Sequence, residues 1–127
     1  MKRIREIHGL TEDQFLSDHR IVASAKYYLI ESIQICLEIS YHIIGVERWD
    51  KPTDYASSFT ILAQNNVIPS ELAERLVEMT MFRNRLVHIY EDFDDAKVYS
   101  IVRSNLDDID EFAKCISAYI YGTSKDS

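Results

Sequence analysis

Apolar residues recur at three- and four-residue steps over nearly the whole chain, and this restricts it to helices. Val22, Ala25, Leu29, Ser32/Ile33, Cys36, Ser40 and Ile43 make one such stripe. Leu72, Leu76, Met79, Phe82/Arg83, Leu86 and Tyr90 make a second, and Val98, Val102, Ile109, Phe112, Ile116 and Tyr119 a third. Steps of this size put side chains on one face of a 3.6-residue helix, whereas a half-buried strand needs alternation at period two, which no segment here sustains.

The punctuation agrees with the periodicity. The chain has 3 Gly and 2 Pro in 127 residues, and all but one fall where the pattern breaks. Gly9 precedes Thr11-Glu-Asp-Gln14, a capping box that starts a short helix to about Ser17. A long helix follows from Asp18, with Gly45 expected at its end as a residue free to adopt positive φ. Pro52 and Asp54 open a shorter helix, roughly Asp54 to Gln64, closed by Asn65-Asn66. Pro69-Ser70 starts a helix that carries the second stripe to Tyr90. After the turn Glu91-Asp-Phe-Asp94, Asp94 is a good N-cap for the last helix, which Gly122 and a polar tail finish. The expectation is a single all-α domain over residues 1–127: an up-and-down antiparallel bundle of four to five helices.

Composition narrows function mainly by exclusion. A net charge of −7 argues against a protein that coats nucleic acid generically, though a local basic patch remains compatible with a nuclease. Eight carboxylates between Glu91 and Glu111 face only Lys97 and Arg103, which reads as a solvated face or a docking surface for a basic partner. No apolar run reaches the roughly 18–20 residues of a membrane span, and the charged start Met1-Lys-Arg-Ile-Arg-Glu6 lacks the apolar core of a signal peptide. Cys36 and Cys115 each fall at an apolar helix position without a second ligand nearby, as buried free thiols do.

The chemical part of the chain is Met81-Phe-Arg-Asn-Arg-Leu-Val-His-Ile-Tyr90. A histidine exchanges protons near neutral pH, and a guanidinium holds phosphate and offsets the charge of its transition state. Asn84, one turn before His88, could fix the imidazole or hold a phosphate oxygen. Such a set could cleave RNA without a metal by deprotonating the 2′-hydroxyl, which attacks the adjacent phosphate. Arg83 and His88 differ by five residues, about 140° around a helix and about 7.5 Å along it. Either the arginine reaches across part of that gap, or a second copy of the chain completes the site. The Arg–His spacing alone arises by chance about one time in four at this composition. The pattern with Asn84 and Tyr90 arises about once in two thousand, so the argument rests on all four residues. A structural reading stands beside it: Arg83 reaching Glu78 or Glu91, His88 favouring the helix C-terminus, Tyr90 as a rim aromatic. His8, His19 and His42 lack comparable neighbours, and the other tyrosines, such as Tyr27, Tyr28, Tyr99 and Tyr121, fall at packing or rim positions.

Arg83-Asn-Arg-Leu-Val-His-Ile-Tyr90 resembles the R-x4-H-x-Y signature of HepT toxins, a branch of the HEPN superfamily. Asp94-Asp-Ala-Lys-Val-Tyr-Ser-Ile-Val and Asn105-Leu-Asp-Asp-Ile-Asp-Glu-Phe112 resemble that family's last helix, and the likeness runs from about Leu10 to Tyr121. The segment before Gly9 is short for the family's first helix. The resemblance implies a cytoplasmic, cofactor-free and metal-independent endoribonuclease toxin with Arg83 and His88 catalytic and Asn84 supporting. It implies a homodimer whose two motifs face one cleft. It also implies an MntA-like nucleotidyltransferase antitoxin, with which the toxin could form a larger hetero-oligomer, and which adenylylates Tyr90. The alternative is a non-catalytic HEPN subunit that binds a nucleotidyltransferase or nucleotide.

Overall fold

The computed structural model describes residues 9–125; the expectations for His8 and for the chain before Gly9 lie outside them. Helix α1 spans Glu12–Leu16, α2 His19–Glu47, α3 Ser57–Gln64, α4 Ser70–His88 and α5 Asp95–Lys125, with a 3-10 turn at Tyr90–Asp92. Among the described residues there is no strand.

The start signals act as their chemistry requires. The Thr11 hydroxyl accepts from the Gln14 amide at 3.2 Å, and the Gln14 side chain accepts from the Thr11 amide at 2.9 Å. Asp18 caps α2 through the Arg20 amide at 2.9 Å, and Asp94 caps α5 through Ala96 at 3.0 Å. Asp54 does not open α3 directly. Its carboxylate accepts from both the amide and the hydroxyl of Ser57 at 2.8 Å, so the helix begins three residues later than its capping group.

The ends of α2 and α5 differ from expectation, as does that of α4, which stops at His88. Gly45 lies inside α2, and the left-handed residue that ends the helix is Arg48, at φ 63°. The Arg48 amide donates to Gly45 at 3.2 Å and the Trp49 amide to Ile44 at 3.1 Å, the paired bonds of a Schellman motif. Trp49 packs on the core cluster that contains Ile43 and Ile44, and this contact sets the exit in place of glycine. Helix α5 also continues through Gly122 to Lys125.

Helices α2, α4 and α5 form the body of the bundle. Phe15, Val22, Leu29, Phe82, Leu86, Val98, Val102 and Leu106 share one core cluster. Ile33, Leu37, Ile44, Phe59, Leu62, Leu72, Leu76 and Phe112 share the other. The start of α2 therefore meets the end of α4 and the start of α5: α4 is antiparallel to both neighbours, and α2 and α5 run the same way. A buried polar layer, with Asn105 Nδ2 3.5 Å from Ser32 Oγ, lies between the clusters. The first cluster backs directly onto the motif, since Phe82 and Leu86 flank Arg83 on the inner side of α4 and Phe82 stacks edge-on against Phe93, centroids 4.8 Å apart.

Helix α2 is long and apolar enough, by length and composition, to cross a membrane, but its apolar residues form much of both clusters. The acidic stretch is only partly a solvated face. Arg75 Nε meets the largely buried Asp108 at 2.8 Å and Arg75 Nη2 meets Glu111 at 2.8 Å, tying α4 to α5. Cys36 is buried, Cys115 half-buried, and both are free thiols.

Candidate active site at the end of α4

Arg83 projects from the side of α4 that faces α2. Its Nη2 donates to Gln34 Oε1 at 2.9 Å and its Nη1 to Asn84 Oδ1 at 3.1 Å. Its Nε is buried without a hydrogen-bond partner among the described residues. Neither Glu78 nor any other described carboxylate forms an ion pair with Arg83, while the Glu91 side chain lies outside the described ones. Two neutral amides hold the guanidinium, and no described carboxylate compensates its charge. A cation oriented this way is suited to a phosphate.

His88 is the last residue of α4 and is exposed. No described residue hydrogen-bonds its imidazole, which leaves both ring nitrogens open to a ligand. Asn84 engages the guanidinium in this structure rather than the imidazole. Arg83 leans on α2 and His88 opens to solvent, with no hydrogen bond joining them.

Tyr90 lies beyond α4. Ile89, at φ −127° and ψ 40°, leaves the helix, so the seven-residue stacking of Arg83 and Tyr90 on one helix does not apply. Helix α2 captures the tyrosine instead. Lys26 Nζ donates to the Tyr90 carbonyl at 2.6 Å and sits 4.7 Å from the ring centroid, and the Tyr90 hydroxyl donates to the Ala23 carbonyl at 3.3 Å. Lys26 Nζ also lies 3.2 Å from Asp95 Oδ1, a contact of charge rather than an aligned hydrogen bond. The hydroxyl remains at the surface, and the residue is 36% exposed.

The sequence reading missed Lys26 and Gln34. Lys26 left a signal, being a lone cation inside the apolar stripe Val22-Ala25-Leu29, where only a partner on another helix makes burial tolerable. Gln34 left none, because a polar residue beside such a stripe is ordinary. No group of three or more metal-binding side chains occurs among the described residues.

An all-helical bundle with R-x4-H-x-Y at the end of its penultimate helix is a HEPN-type domain. Residues 1–116 match the family model described as ribonuclease HepT-like, and the chain belongs to that family. It is 32% identical over 118 residues to the mRNA nuclease HepT of Shewanella oneidensis, covering 93% of this chain and 88% of that one. It is 23% identical over 122 residues to the tRNA nuclease HepT of Aphanizomenon flos-aquae, covering 94% and 82%. Among solved structures it superposes on the tri-AMPylated Shewanella oneidensis HEPN toxin in complex with its MNT antitoxin, with a TM-score of 0.82, 32% identity, and 92% and 87% of the two chains covered. A toxin–antitoxin complex with AMP-PNP matches with a TM-score of 0.79, 31% identity, and 91% and 87% covered.

Proposed function

We propose that this chain is a cytoplasmic endoribonuclease toxin, neutralised when a nucleotidyltransferase antitoxin adenylylates Tyr90. The observation that carries the nuclease reading is an Arg83 guanidinium that no described carboxylate pairs with, on the same helix as an exposed His88 that no described residue hydrogen-bonds. His88 takes the proton of an RNA 2′-hydroxyl, the 2′-oxygen attacks the adjacent phosphorus, and the bond to the 5′-oxygen breaks; that oxygen takes up a proton from water and leaves as a hydroxyl, with a 2′,3′-cyclic phosphate on the other fragment. Arg83 binds the phosphate oxygens as negative charge builds on them. This set draws on no cofactor and no metal. The five-residue offset of Arg83 and His88 on one helix, with no hydrogen bond joining them, supports a homodimer in which motifs from two copies line one cleft. Asn84 supports the site by holding the guanidinium.

The named relatives support the remaining assignments: two are RNA nucleases, and one structure pairs an AMPylated HEPN toxin with an MNT antitoxin. In the modification, the Tyr90 oxygen attacks the α-phosphorus of ATP and pyrophosphate leaves. The adenylyl group adds a negative charge and a purine two residues from His88, which repels RNA phosphate and fills the cleft. The net charge of −7 favours a second reading, a non-catalytic subunit of a nucleotidyltransferase. Expression of the wild type alone, beside Arg83→Ala and His88→Ala, separates them. The nuclease reading expects arrested growth and RNA cleavage from the wild type only; three equally harmless proteins, or toxicity only with the partner present, overturn it.

A further inference from the structure

We infer that Gln34, on α2 and outside the motif, is a positioning residue for Arg83, orienting the guanidinium while leaving its positive charge free for RNA phosphate. This rests on the nuclease reading above and deepens it.

The chemistry of its neighbours fixes how the Gln34 amide lies. Arg83 Nη2 can only donate, and it meets Gln34 at 2.9 Å. On the other side Glu38 Oε1, one helical turn further along α2, meets Gln34 Nε2 at 3.2 Å, and an ionised carboxylate can only accept. The amide therefore turns its oxygen to Arg83 and its nitrogen to Glu38; the reverse orientation would lose both bonds. Gln34 is also half-buried between the helices, which limits its alternatives.

The second acceptor, Asn84, comes from α4 itself, so the guanidinium is pinned by one neutral oxygen from each helix. A residue on α4 alone would leave the long side chain free to swing about its own helix, and side-chain freedom is costly to remove at the moment of binding. An acidic residue at position 34 would hold Arg83 more firmly, but its charge would cancel the attraction for phosphate. Glutamine supplies the geometry without the cancellation. Glu38 contributes at one remove: its charge is spent on the amide nitrogen, away from Arg83.

This separates orientation from charge, and the isosteric change Gln34→Glu isolates charge once Glu38, which accepts from the Gln34 amide nitrogen, is also made neutral as Glu38→Gln. The assay is steady-state cleavage of an RNA substrate by the purified full-length protein, with melting temperature measured on the same samples. Wild type and Arg83→Ala set the limits, and Gln34→Glu/Glu38→Gln, Gln34→Ala and Glu38→Gln are compared with them. Gln34→Glu is made together with Glu38→Gln, so that the new carboxylate does not face the old one across 3.2 Å; relative to Glu38→Gln alone, the pair is expected to lower kcat/KM on the order of 100-fold while melting at or above the same temperature, because the new ion pair joins α2 to α4. Gln34→Ala is expected to lower kcat about 10-fold with a smaller effect on KM, since charge remains but aim is lost. Glu38→Gln is expected to stay within about threefold of wild type.

If wild type cleaves, Arg83→Ala does not, Gln34→Ala keeps more than half of the wild-type kcat/KM and Gln34→Glu/Glu38→Gln more than half of that of Glu38→Gln, the role of Gln34 is overturned and the nuclease reading stands. If activity in Gln34→Glu/Glu38→Gln falls below that of Glu38→Gln only in proportion to a lower melting temperature, Gln34 is a packing residue and the inference is again overturned. A folded wild type without ribonuclease activity removes both the reading and the inference.

Discussion

Lys26→Met tests whether one buried cation holds the Tyr90 turn against the bundle. Lys26 is 5% exposed, and three contacts converge on its ammonium: the Tyr90 carbonyl at 2.6 Å, the Tyr90 ring at 4.7 Å and Asp95 at 3.2 Å. A hydrogen bond from a charged donor contributes about 1.5–3 kcal/mol net of its exchange with water, and a cation over an aromatic ring about 0.5–2 kcal/mol. The Asp95 side chain is 39% exposed, but the Oδ1 that faces the lysine is buried without a hydrogen-bond partner, so losing the ammonium adds to the cost rather than leaving the pair neutral. Methionine restores most of the apolar stem, and water can reach the surface turn that Tyr90 occupies. The net loss is about 2 kcal/mol, which for a chain of this size lowers the melting temperature by about 6–10 °C. Thermal unfolding followed by circular dichroism at a fixed protein concentration measures this, since self-association would otherwise shift the midpoint. Lys26→Arg should recover part of the loss. A melting temperature within about 1 °C of wild type, a shift too small for 2 kcal/mol, would refute the claim that this lysine holds the turn.

Two further outcomes follow from local geometry. Gly45→Ala should stabilise the protein by about 0.5–1 kcal/mol, because the residue sits in helical backbone and an added Cβ meets nothing within 4 Å; a loss of stability in urea titration would contradict the observed helix end. Burial pushes the Cys36 thiol from its ordinary 9.0 up to about 12, so iodoacetamide at pH 8 should label it more than about tenfold more slowly in the folded protein than in denaturant. The same shift makes stability fall as pH rises from 9 towards 12, because the unfolded chain gives up that proton first; labelling at equal rates would show that the site opens.

Helix positions were legible because caps and apolar periodicity are local. Thr11 with Gln14, Asp18, Asp94 and Pro69-Ser70 all lie at helix starts as the sequence indicated. The end of α2 was misread because Trp49, through its packing on the core, determines the exit, and that is a tertiary contact. The end of α4 was misread for a related reason: Tyr90 continues the apolar spacing, but Lys26, 64 positions earlier, draws it into a turn. The motif residues could be found in sequence because they lie within eight positions of one another. Gln34 and Lys26 could not be assigned to them, because no spacing rule links α2 to α4 without the packed bundle. The same limit applied to the acidic stretch, where Asp108 is held by Arg75 rather than by water.

The most direct test of the account is RNA cleavage by the purified wild type before and after treatment with its nucleotidyltransferase partner and ATP, with intact mass measured on each sample. The account predicts cleavage by the untreated protein, a gain of one or more adenylyl units on treatment, and loss of cleavage in step with that gain. Tyr90→Phe should gain no mass and remain active after treatment. Cleavage that persists in fully adenylylated protein, or adenylyl groups that attach equally to Tyr90→Phe, would contradict it.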